Sequence, residues 1–385
     1  MSRWDHGGQA LAWFACGVSW LAALGIDAPL IRGYFPASGF RLASDLACFR
    51  DNGAWLGRHL EAAAQSAAQA CTYKYPPPFL FLATPLSWLT PEQDFIVWSA
   101  VSVTVLILAA RALGMPRRAV LLGSLAPPTL LCLSIGESGM IVSGLLLVAL
   151  GCAETAPVMA GIAAGAMIVK PQLGLLLPVC YVASRNGRAF LAAAVTAGSL
   201  CVLAEIMFGQ GAWVHYLHEG IAATHATLAA PWPQRDQHIM VTPYIFVHSL
   251  GAGFGLANAA QLMVTLLAAV AVWKLWRGPP VPSRLSMTLC LAALATPFAC
   301  LYDLSALALA LAAEGGAALA WFWIFSGLYL FVSVFSVSPG APGLALLLWM
   351  LWRRQAARPS RTGGLSHESS ARSEAALVRS RRPCA

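Results

Sequence analysis

The sequence predicts an all-α polytopic membrane protein, and its composition and segment pattern carry the prediction. Of the 385 residues, 58% are hydrophobic and only 10% are charged, with a mean hydropathy of +0.68. A soluble domain carries about 25% charged residues because it must cover its surface with them. Apolar segments recur along almost the whole chain, and in a bilayer only helices and closed barrels satisfy their own backbone groups. We therefore expect a bundle of about twelve transmembrane helices.

Apolar runs, interrupted by charges, prolines and glycines, delimit the predicted spans. Two runs are long enough to need a bend, at Pro85 and Pro91 in one and near Gly251 to Gly255 in the other. Several others fall below the roughly 17 residues of a typical spanning helix, so their ends are loose by a few residues. The predicted spans are 10–31, 78–110, 119–135, 139–153, 157–169, 171–184, 189–207, 241–276, 285–302, 304–316, 318–337 and 341–352.

The first of these runs is expected to remain in the chain as a membrane span. Residues 10–31 are longer than the apolar core of a cleavable signal peptide, which has about 7–15 residues. The loop that follows offers no clean small-residue cleavage site. We therefore predict that no leader is removed here.

The basic residues predict one orientation. Cytoplasmic loops are enriched in Lys and Arg, and with the amino terminus inside, four basic clusters fall on the cytoplasmic side. Loop 32–77 is a mild exception to this rule, because the orientation places five basic residues on the extracytoplasmic side: Arg32, Arg41, Arg50, Arg58 and Lys74. Both termini are therefore expected to be cytoplasmic. The four clusters are Arg111, Arg117 and Arg118; Arg185 and Arg188; Lys274, Arg277 and Arg284; and the arginine-rich tail.

The carboxyl-terminal residues 353–385 form a basic tail after the membrane-embedded domain 1–352. Eight arginines against Glu368 and Glu374 give the tail a charge of +6, and Ser, Gly and Pro are frequent in it. This composition predicts disorder. Beside a membrane, such a tail marks topology and contacts anionic lipid, so it does not indicate nucleic-acid binding.

Ten cysteines are scattered along the chain without a CxxC pair or a His/Cys cluster at zinc spacing. Most lie in apolar helices, where cysteine packs as a small hydrophobic residue. Cys48 and Cys71 share the polar loop 32–77, so a disulfide between them is possible if that loop is extracytoplasmic.

A lysine interrupts an apolar stretch, "AGIAAGAMIVKPQLGLLLPV", residues 160–179. A charge at the bilayer centre costs roughly 2.5–3.5 kcal/mol on insertion scales. We interpret the stretch as two short helices meeting at the outer face, with Pro171 in the first turn of the second helix. The glycines and alanines of the first half allow close helix packing. Lys170 is then expected at the membrane surface.

Other polar residues are predicted to gather on the same outer face as Lys170. It receives loop 32–77, "IGESG" at 135–139, the second large loop 208–240 and "CLYDL" at 300–304. In the first loop, Phe49, Arg50, Trp55 and Arg58 follow Asp45 at helical spacing, which predicts an amphipathic interfacial helix. Tyr73, Lys74 and Tyr75 come before three prolines, which impose extended geometry.

Each of these residues also has a simpler interpretation. Asp45 is equally a solvated or capping carboxylate, and Tyr73 and Tyr75 are typical aromatic-belt residues. Glu137 suits a helix amino terminus by its charge, and a lysine such as Lys170 can extend to the interface. Tyr302 and Asp303 suit the end of a span. Histidines in loops, as predicted for His225 and His238, are more often merely solvated.

Five ordered segments resemble the DUF2029, or glycosyltransferase family 87, group. They are "SDLACF…YKYPPPFLFLATPLSWL", "SIGESG", "GIAAGAMIVKPQLGLLLPV", "FGQGAWVHYL" and "ATPFACLYDLSALALA", and the resemblance covers about residues 10–315. It implies a bacterial, polyprenyl-phosphate-dependent hexosyltransferase of the GT-C fold in the inner membrane. One departure is Gly136-Glu137-Ser138, where the family commonly has Gly-Gln-Asn.

The resemblance implies roles for individual residues. Asp45 matches the catalytic base that GT-C enzymes place just after their first span, where a carboxylate takes the proton of the acceptor hydroxyl. Cations are needed for the departing phosphate, and Lys170, Lys74 and Arg50 or Arg41 are the candidates. Sugar or phosphate contacts are further expected from Tyr75, Glu137, Tyr302, Asp303 and His238.

The chain shows no glycine-rich nucleotide loop and no aspartate-rich metal pair, as expected for a lipid-phosphate donor. We therefore expect no cofactor and leave a divalent metal open. The leading hypothesis is an inverting transferase acting on an extracytoplasmic or lipid-linked acceptor. The alternative is a transporter or flippase, which should show midplane polar residues and inverted repeats. A non-catalytic assembly subunit is a third reading.

Overall fold

The computed structural model describes residues 44–58, 73–234, 236–329 and 336–356. The predicted span 10–31, Cys71, Arg41 and nearly all of the tail lie outside these residues. The described parts are helical and contain no strand, and one isolated antiparallel bridge joins Met240 to Cys300. The all-α prediction is therefore confirmed for this part of the chain.

The helices are named in chain order. They are α1 (Ser44–Arg58), α2 (Leu80–Leu86), α3 (Pro91–Ala112), α4 (Arg117–Ser124), α5 (Pro127–Ile135), α6 (Gly139–Gly151), α7 (Pro157–Ala166), α8 (Leu177–Ala183), α9 (Gly187–His215), α10 (Ile221–Ala229), α11 (Pro243–Ser249), α12 (Phe254–Arg277), α13 (Arg284–Leu294), α14 (Ser305–Glu314), α15 (Ala317–Tyr329) and α16 (Gly340–Ala356). A π-helical turn, Tyr216–Gly220, joins α9 to α10. Short 3-10 turns cover Pro77–Phe79, Met167–Val169, Pro171–Gly174, Gln237–Ile239 and Leu301–Leu304.

Three helical segments are long and apolar enough to cross a membrane. They are α3, the helical segment Gly187–Ala229, which is kinked at Gly209, and α12. The pair α4 and α5, bent by 55°, makes a fourth if it is one broken span. The other apolar helices among the described residues are shorter than a bilayer requires. A membrane-spanning helical protein is supported, but a bundle of about twelve spans is not confirmed.

Capping residues and prolines explain where several of the observed helices begin. Thr90 accepts a hydrogen bond from the Gln93 amide while the Gln93 side chain accepts one from the Thr90 amide, which is a capping box, and Pro91 takes the first helical position of α3. Asn186 caps α9 through the Ala189 amide. Proline likewise occupies an opening position of α5, α7 and α11.

The glycine-rich part of residues 160–179 packs α7 tightly on α9. A Cβ atom added at Gly161 would lie 2.4 Å from the Ala189 carbonyl oxygen, and one added at Gly165 would lie 2.5 Å from that of Ala193. These distances leave no room for a side chain. The two glycines therefore allow the backbones to approach, as small residues four apart do in membrane helices.

The prediction of a loop over 208–240 is wrong over most of its length, because helical structure continues to Ala229. Gly209, with φ of +74° and ψ of 172°, is not helical, so a kink at this residue divides the segment into two helices. The polar residues His215, His218 and Glu219 lowered the hydropathy here and suggested a loop. They lie instead at the π-helical turn, where the segment leaves its most apolar part.

The helix predicted for the first loop is observed as α1, but it is more than an interfacial helix. Leu46 and Phe49 are buried, and α1 packs against α2 and contacts α3. On α3, the carboxylate of Asp94 accepts a hydrogen bond from Arg50 Nη1 at 3.2 Å. This ion pair and the apolar face fix α1 to the bundle, which gives Asp45 in its first turn a defined position.

Candidate functional site

A cavity of about 320 Å³, lined by both polar and apolar residues, opens where several helices are interrupted. Its walls come from the first turn of α1, residues 74–76, the turn before α6, the break at 169–172, the π-helical turn with α10, and the chain around 236–240 and 296–302. Helix ends and breaks expose backbone groups and polar side chains. They account for the concentration of polar residues here.

Asp45 lines this cavity and is half-buried. It lies in the first turn of α1, where the helix dipole favours a carboxylate. Glu137, Lys170, Tyr302, Tyr75 and Lys74 line the same cavity. Residues far apart in the sequence, from Asp45 to Tyr302, therefore contribute to one site.

Glu137 is the centre of a buried hydrogen-bond network. Its carboxylate accepts hydrogen bonds from the Tyr75 hydroxyl at 2.8 and 3.0 Å and from the Tyr302 hydroxyl at 3.2 Å. The Ser138 amide donates to the same group at 2.6 Å and the Ser138 hydroxyl at 2.9 Å. Left-handed Gly136, φ +73°, ends α5 and turns the chain so that Glu137 can reach both tyrosines.

Lys170 is buried beside this network, with 2% of its surface exposed. Its Nζ donates to Asp303 Oδ1 at 2.7 Å and lies 3.7 Å from Glu137 Oε2. The ammonium also lies 4.8 Å from the ring centroid of Tyr302 and 5.8 Å from that of Tyr75. Lys170 is therefore enclosed by protein, and two carboxylates and two aromatic rings offset its burial. Its expected position at the level of the membrane surface stays a prediction.

The charge states in this group follow from the contacts. Burial disfavours the ammonium, but the carboxylates of Asp303 and Glu137 outweigh it and raise the pKa of Lys170 well above its ordinary value. Burial likewise acts against the Glu137 carboxylate, yet Lys170 and the hydroxyl and amide donors lower the pKa of Glu137. Burial raises the pKa of Asp303, but both of its oxygens accept hydrogen bonds, from Lys170 and the Cys300 amide, which is the geometry of a carboxylate.

Lys74 is the second lysine of the cavity and is held more loosely. Its Nζ donates to the Thr227 hydroxyl at 2.7 Å and to Asp236 Oδ2 at 3.3 Å, and it lies 5.3 Å from the Phe298 ring centroid. The Asp236 side chain is 52% exposed. An ion pair with such an exposed partner is weak, so Lys74 can exchange this carboxylate for another anion.

Three residues expected at the site are not on the described lining of the cavity. Arg50 turns away to pair with Asp94 and Asp51. Asp303 contacts Lys170, which lines the cavity, but is not itself part of the lining. His238 stacks on Trp232, and burial lowers the pKa of His238, so a neutral ring is expected at pH 7. The expectation that Arg50 and His238 contact phosphate has no support from this geometry.

Several residues that line the cavity were not predicted from the sequence. Tyr216, Thr224 and Asp236 line the cavity, and Gln172 follows the Lys170–Pro171 break. Tyr216 lies in the π-helical turn, a feature that frequently marks functional sites. No sequence pattern identified Thr224 or Asp236, because both lie in a segment interpreted as a loop. Among the described residues, no group of three His, Cys, Asp or Glu forms a metal site.

Cys48 also lines the cavity and is disulfide-bonded. Its predicted partner, Cys71, lies outside the described residues, so the pairing stays a prediction.

The fold and the cavity together define a helical membrane protein with a carboxylate-lined site at the broken ends of its helices. The sequence profile of glycosyltransferase family 87 matches residues 73–303, more than half of the chain. The chain belongs to this family, and the family indicates a glycosyltransferase. Neither a curated protein nor a solved structure gives a significant match.

Proposed function

We propose that this glycosyltransferase moves a hexose from a polyprenyl-phosphate donor to an extracytoplasmic or lipid-linked acceptor, with inversion at the anomeric carbon. We place it in the bacterial inner membrane, multi-pass, with both termini cytoplasmic. Asp45 is the proposed general base. One observation carries the proposal: Asp45 shares a cavity with a loosely held lysine and a tyrosine–carboxylate network.

The general-base role follows from the reaction. A hydroxyl that attacks an anomeric carbon must lose its proton, and a carboxylate within hydrogen-bond reach can accept it. The bond from the anomeric carbon to the phosphate oxygen breaks as the new glycosidic bond forms, and the phosphate leaves with the bonding electrons. Half-buried Asp45 faces the cavity in which both substrates would meet.

Lys74 is the proposed contact for the departing phosphate. The leaving group gains negative charge in the transition state, and an ammonium with an exchangeable partner can stabilise that charge. Phosphate would replace Asp236 at Lys74 Nζ, while the Thr227 hydroxyl remains as a neighbouring donor. Contact between Lys170 and phosphate stays a prediction, but Lys170 already has Asp303 as a close partner.

The tyrosine network is the proposed contact for the sugar. The cavity volume falls at the lower end of the roughly 300–1,000 Å³ of ligand pockets, which fits a small polar group. Tyr75 and Tyr302 both donate to Glu137. Their hydroxyl oxygens can therefore accept hydrogen bonds from sugar hydroxyls. Glu137 has its acceptor positions largely filled, so we assign it an orienting role.

Replacement of the proposed base tests the function. The reconstituted protein is supplied with polyprenyl-phosphate hexoses and candidate acceptors, and product formation is measured. Asp45→Asn should lower kcat by about 10²–10⁴-fold, the usual contribution of a general base. Asp51→Asn on the same helix is the matched control and should retain activity, because Asp51 does not line the cavity.

Two results would contradict the proposal. Turnover by Asp45→Asn equal to that of the parent chain would remove the base assignment. Absence of transfer with every donor, together with measurable movement of lipid-linked sugar between leaflets, would favour the alternative of a transporter or flippase.

A further inference from the structure

A second cavity lies about one helix length from the candidate site. Its volume is about 590 Å³, and it is formed by the end of α6, the start of α7, the α8–α9 turn and the end of α12. Glu137 precedes α6 and Glu154 follows it, and the helix has 13 residues. At 1.5 Å per residue this separates the two cavities by roughly 20 Å. Nothing in the proposed transfer reaction uses the second cavity.

Two arginines line this cavity without a carboxylate partner among the described residues. Arg185 and Arg277 are both exposed and both contribute to its wall. Glu154 is the acidic residue of the described lining, and Arg284 holds it at 2.6 Å. Its negative charge is therefore already compensated. The concave surface carries a net positive charge that a bound anion would offset.

The backbone conformation of Arg185 also supports a functional role for this residue. Arg185 follows α8 in a left-handed conformation, φ +56°, a position where glycine would be free of strain. This chain has a long cationic side chain at a backbone position that favours glycine. Strained non-glycine residues concentrate at functional sites.

Convergence of these charges goes beyond what membrane orientation requires. The positive-inside rule needs basic residues on one side of the membrane and is indifferent to where they lie on it. Here Arg185 and Arg277, about ninety residues apart in the sequence, meet in one cavity. The exposed residues Arg188 and Lys274 lie close to them in the sequence. Basic pockets between membrane helices on the cytoplasmic side are typical sites for phosphate-bearing lipid head groups.

We propose that this cavity is a binding site for a phosphate anion, carried by the head group of an anionic membrane lipid or by a soluble phosphate compound. Arg185 and Arg277 contact the phosphate from two sides, and Arg284 keeps Glu154 away from it. The site is separate from the donor cavity and does not depend on the transfer reaction.

Binding to the full-length protein in neutral detergent micelles tests the proposal. Phosphatidylglycerol, phosphatidylcholine and inorganic pyrophosphate are titrated separately, and thermal stabilisation and native mass spectra report binding. We expect saturable stabilisation by phosphatidylglycerol or pyrophosphate and none by phosphatidylcholine. The double variant Arg185→Gln/Arg277→Gln should raise the apparent Kd roughly tenfold or more. Saturation by phosphatidylglycerol alone assigns the site to lipid, and saturation by pyrophosphate alone assigns it to a soluble ligand.

Two further variants separate binding from folding and from general surface charge. Arg185→Gly should fold at least as well as the parent chain, because glycine relieves the left-handed backbone, and yet bind more weakly. Arg111→Gln/Arg117→Gln removes two exposed arginines outside the cavity and should bind like the parent chain. Equal losses in the two double variants, or no saturable binding of either anion, would overturn the proposal.

Discussion

Lys170 shows how a charge is accommodated inside this protein. Its ammonium has Asp303 at 2.7 Å, Glu137 at 3.7 Å and two tyrosine rings around it. A buried ion pair adds little net stability when it forms, but breaking it strands the remaining charge. Loss of donor binding in Lys170→Met would therefore not by itself demonstrate a phosphate contact, because the fold would be affected as well.

Removal of the buried ammonium should be partly compensated by removal of one carboxylate. We expect Lys170→Met to lower the free energy of unfolding by about 3–5 kcal/mol, since two buried carboxylates lose their cation. In the double variant Lys170→Met/Asp303→Asn, the loss of unfolding free energy should be about 0.5–3 kcal/mol smaller than the sum of the losses in the two single variants. Denaturant unfolding in mixed micelles measures each free energy.

The matched control for this cycle is Lys74→Met, whose ion-pair partner is largely exposed. It should cost about 1 kcal/mol or less. Additive losses in the Lys170 cycle would show that Lys170 and Asp303 are not coupled.

Lys74 and Asp236 should affect donor binding in opposite directions. Lys74→Gln removes the proposed phosphate contact and should raise the KM for the donor about tenfold, a typical value for a lost charged hydrogen bond. Asp236→Asn removes the competing carboxylate and should lower that KM a few-fold at most, because the Asp236 side chain is exposed and its ion pair is weak. Steady-state kinetics at varied donor concentration measures both. A higher KM in Asp236→Asn would mean that Asp236 assists donor binding.

Helix packing depends on glycines whose environments differ. Gly161 on α7 touches the α9 backbone, whereas a Cβ atom at Gly198 on α9 would meet nothing within 4 Å. Both lie inside helices. The pair separates steric clash from helix propensity.

Gly161→Ala should therefore destabilise the bundle and Gly198→Ala should not. Overpacking typically costs about 1–3 kcal/mol, while alanine replacing an unpacked helical glycine gains about 0.5–1 kcal/mol. Thermal unfolding in detergent should show a lower Tm for Gly161→Ala and an equal or higher Tm for Gly198→Ala. Equal shifts of the same sign would contradict the close approach of α7 and α9.

The whole chain should present its two cavities to opposite sides of the membrane. Glu92 is exposed at the start of the observed helix α3, at the end opposite Arg111, whose predicted side is cytoplasmic, and exposed Arg188 belongs to a predicted cytoplasmic cluster. We expect Glu92→Cys to react with an impermeant maleimide in intact cells. Arg188→Cys should react only after permeabilisation. The unsubstituted chain is the control for its own cysteines, and labelling of both variants in intact cells would contradict the orientation.

Much of the site could be predicted from the sequence, but its internal organisation could not. Asp45, Lys74, Tyr75, Glu137, Lys170 and Tyr302 were each singled out, and all line one cavity. The pairing of Lys170 with Asp303, 133 residues away, had no local signal. Arg50 could not be separated from a phosphate ligand because its partner Asp94 lies on a different helix.

Composition and apolar patterning by themselves determined the helical membrane class, because a bilayer leaves a chain few ways to satisfy its backbone. Proline, glycine and capping residues determined where many helices begin or break, because these effects act within a few residues. The tertiary structure alone decided which charges meet, that Lys170 is buried, and that distant arginines share a second cavity. Such contacts depend on how helices pack, which no short stretch of sequence encodes.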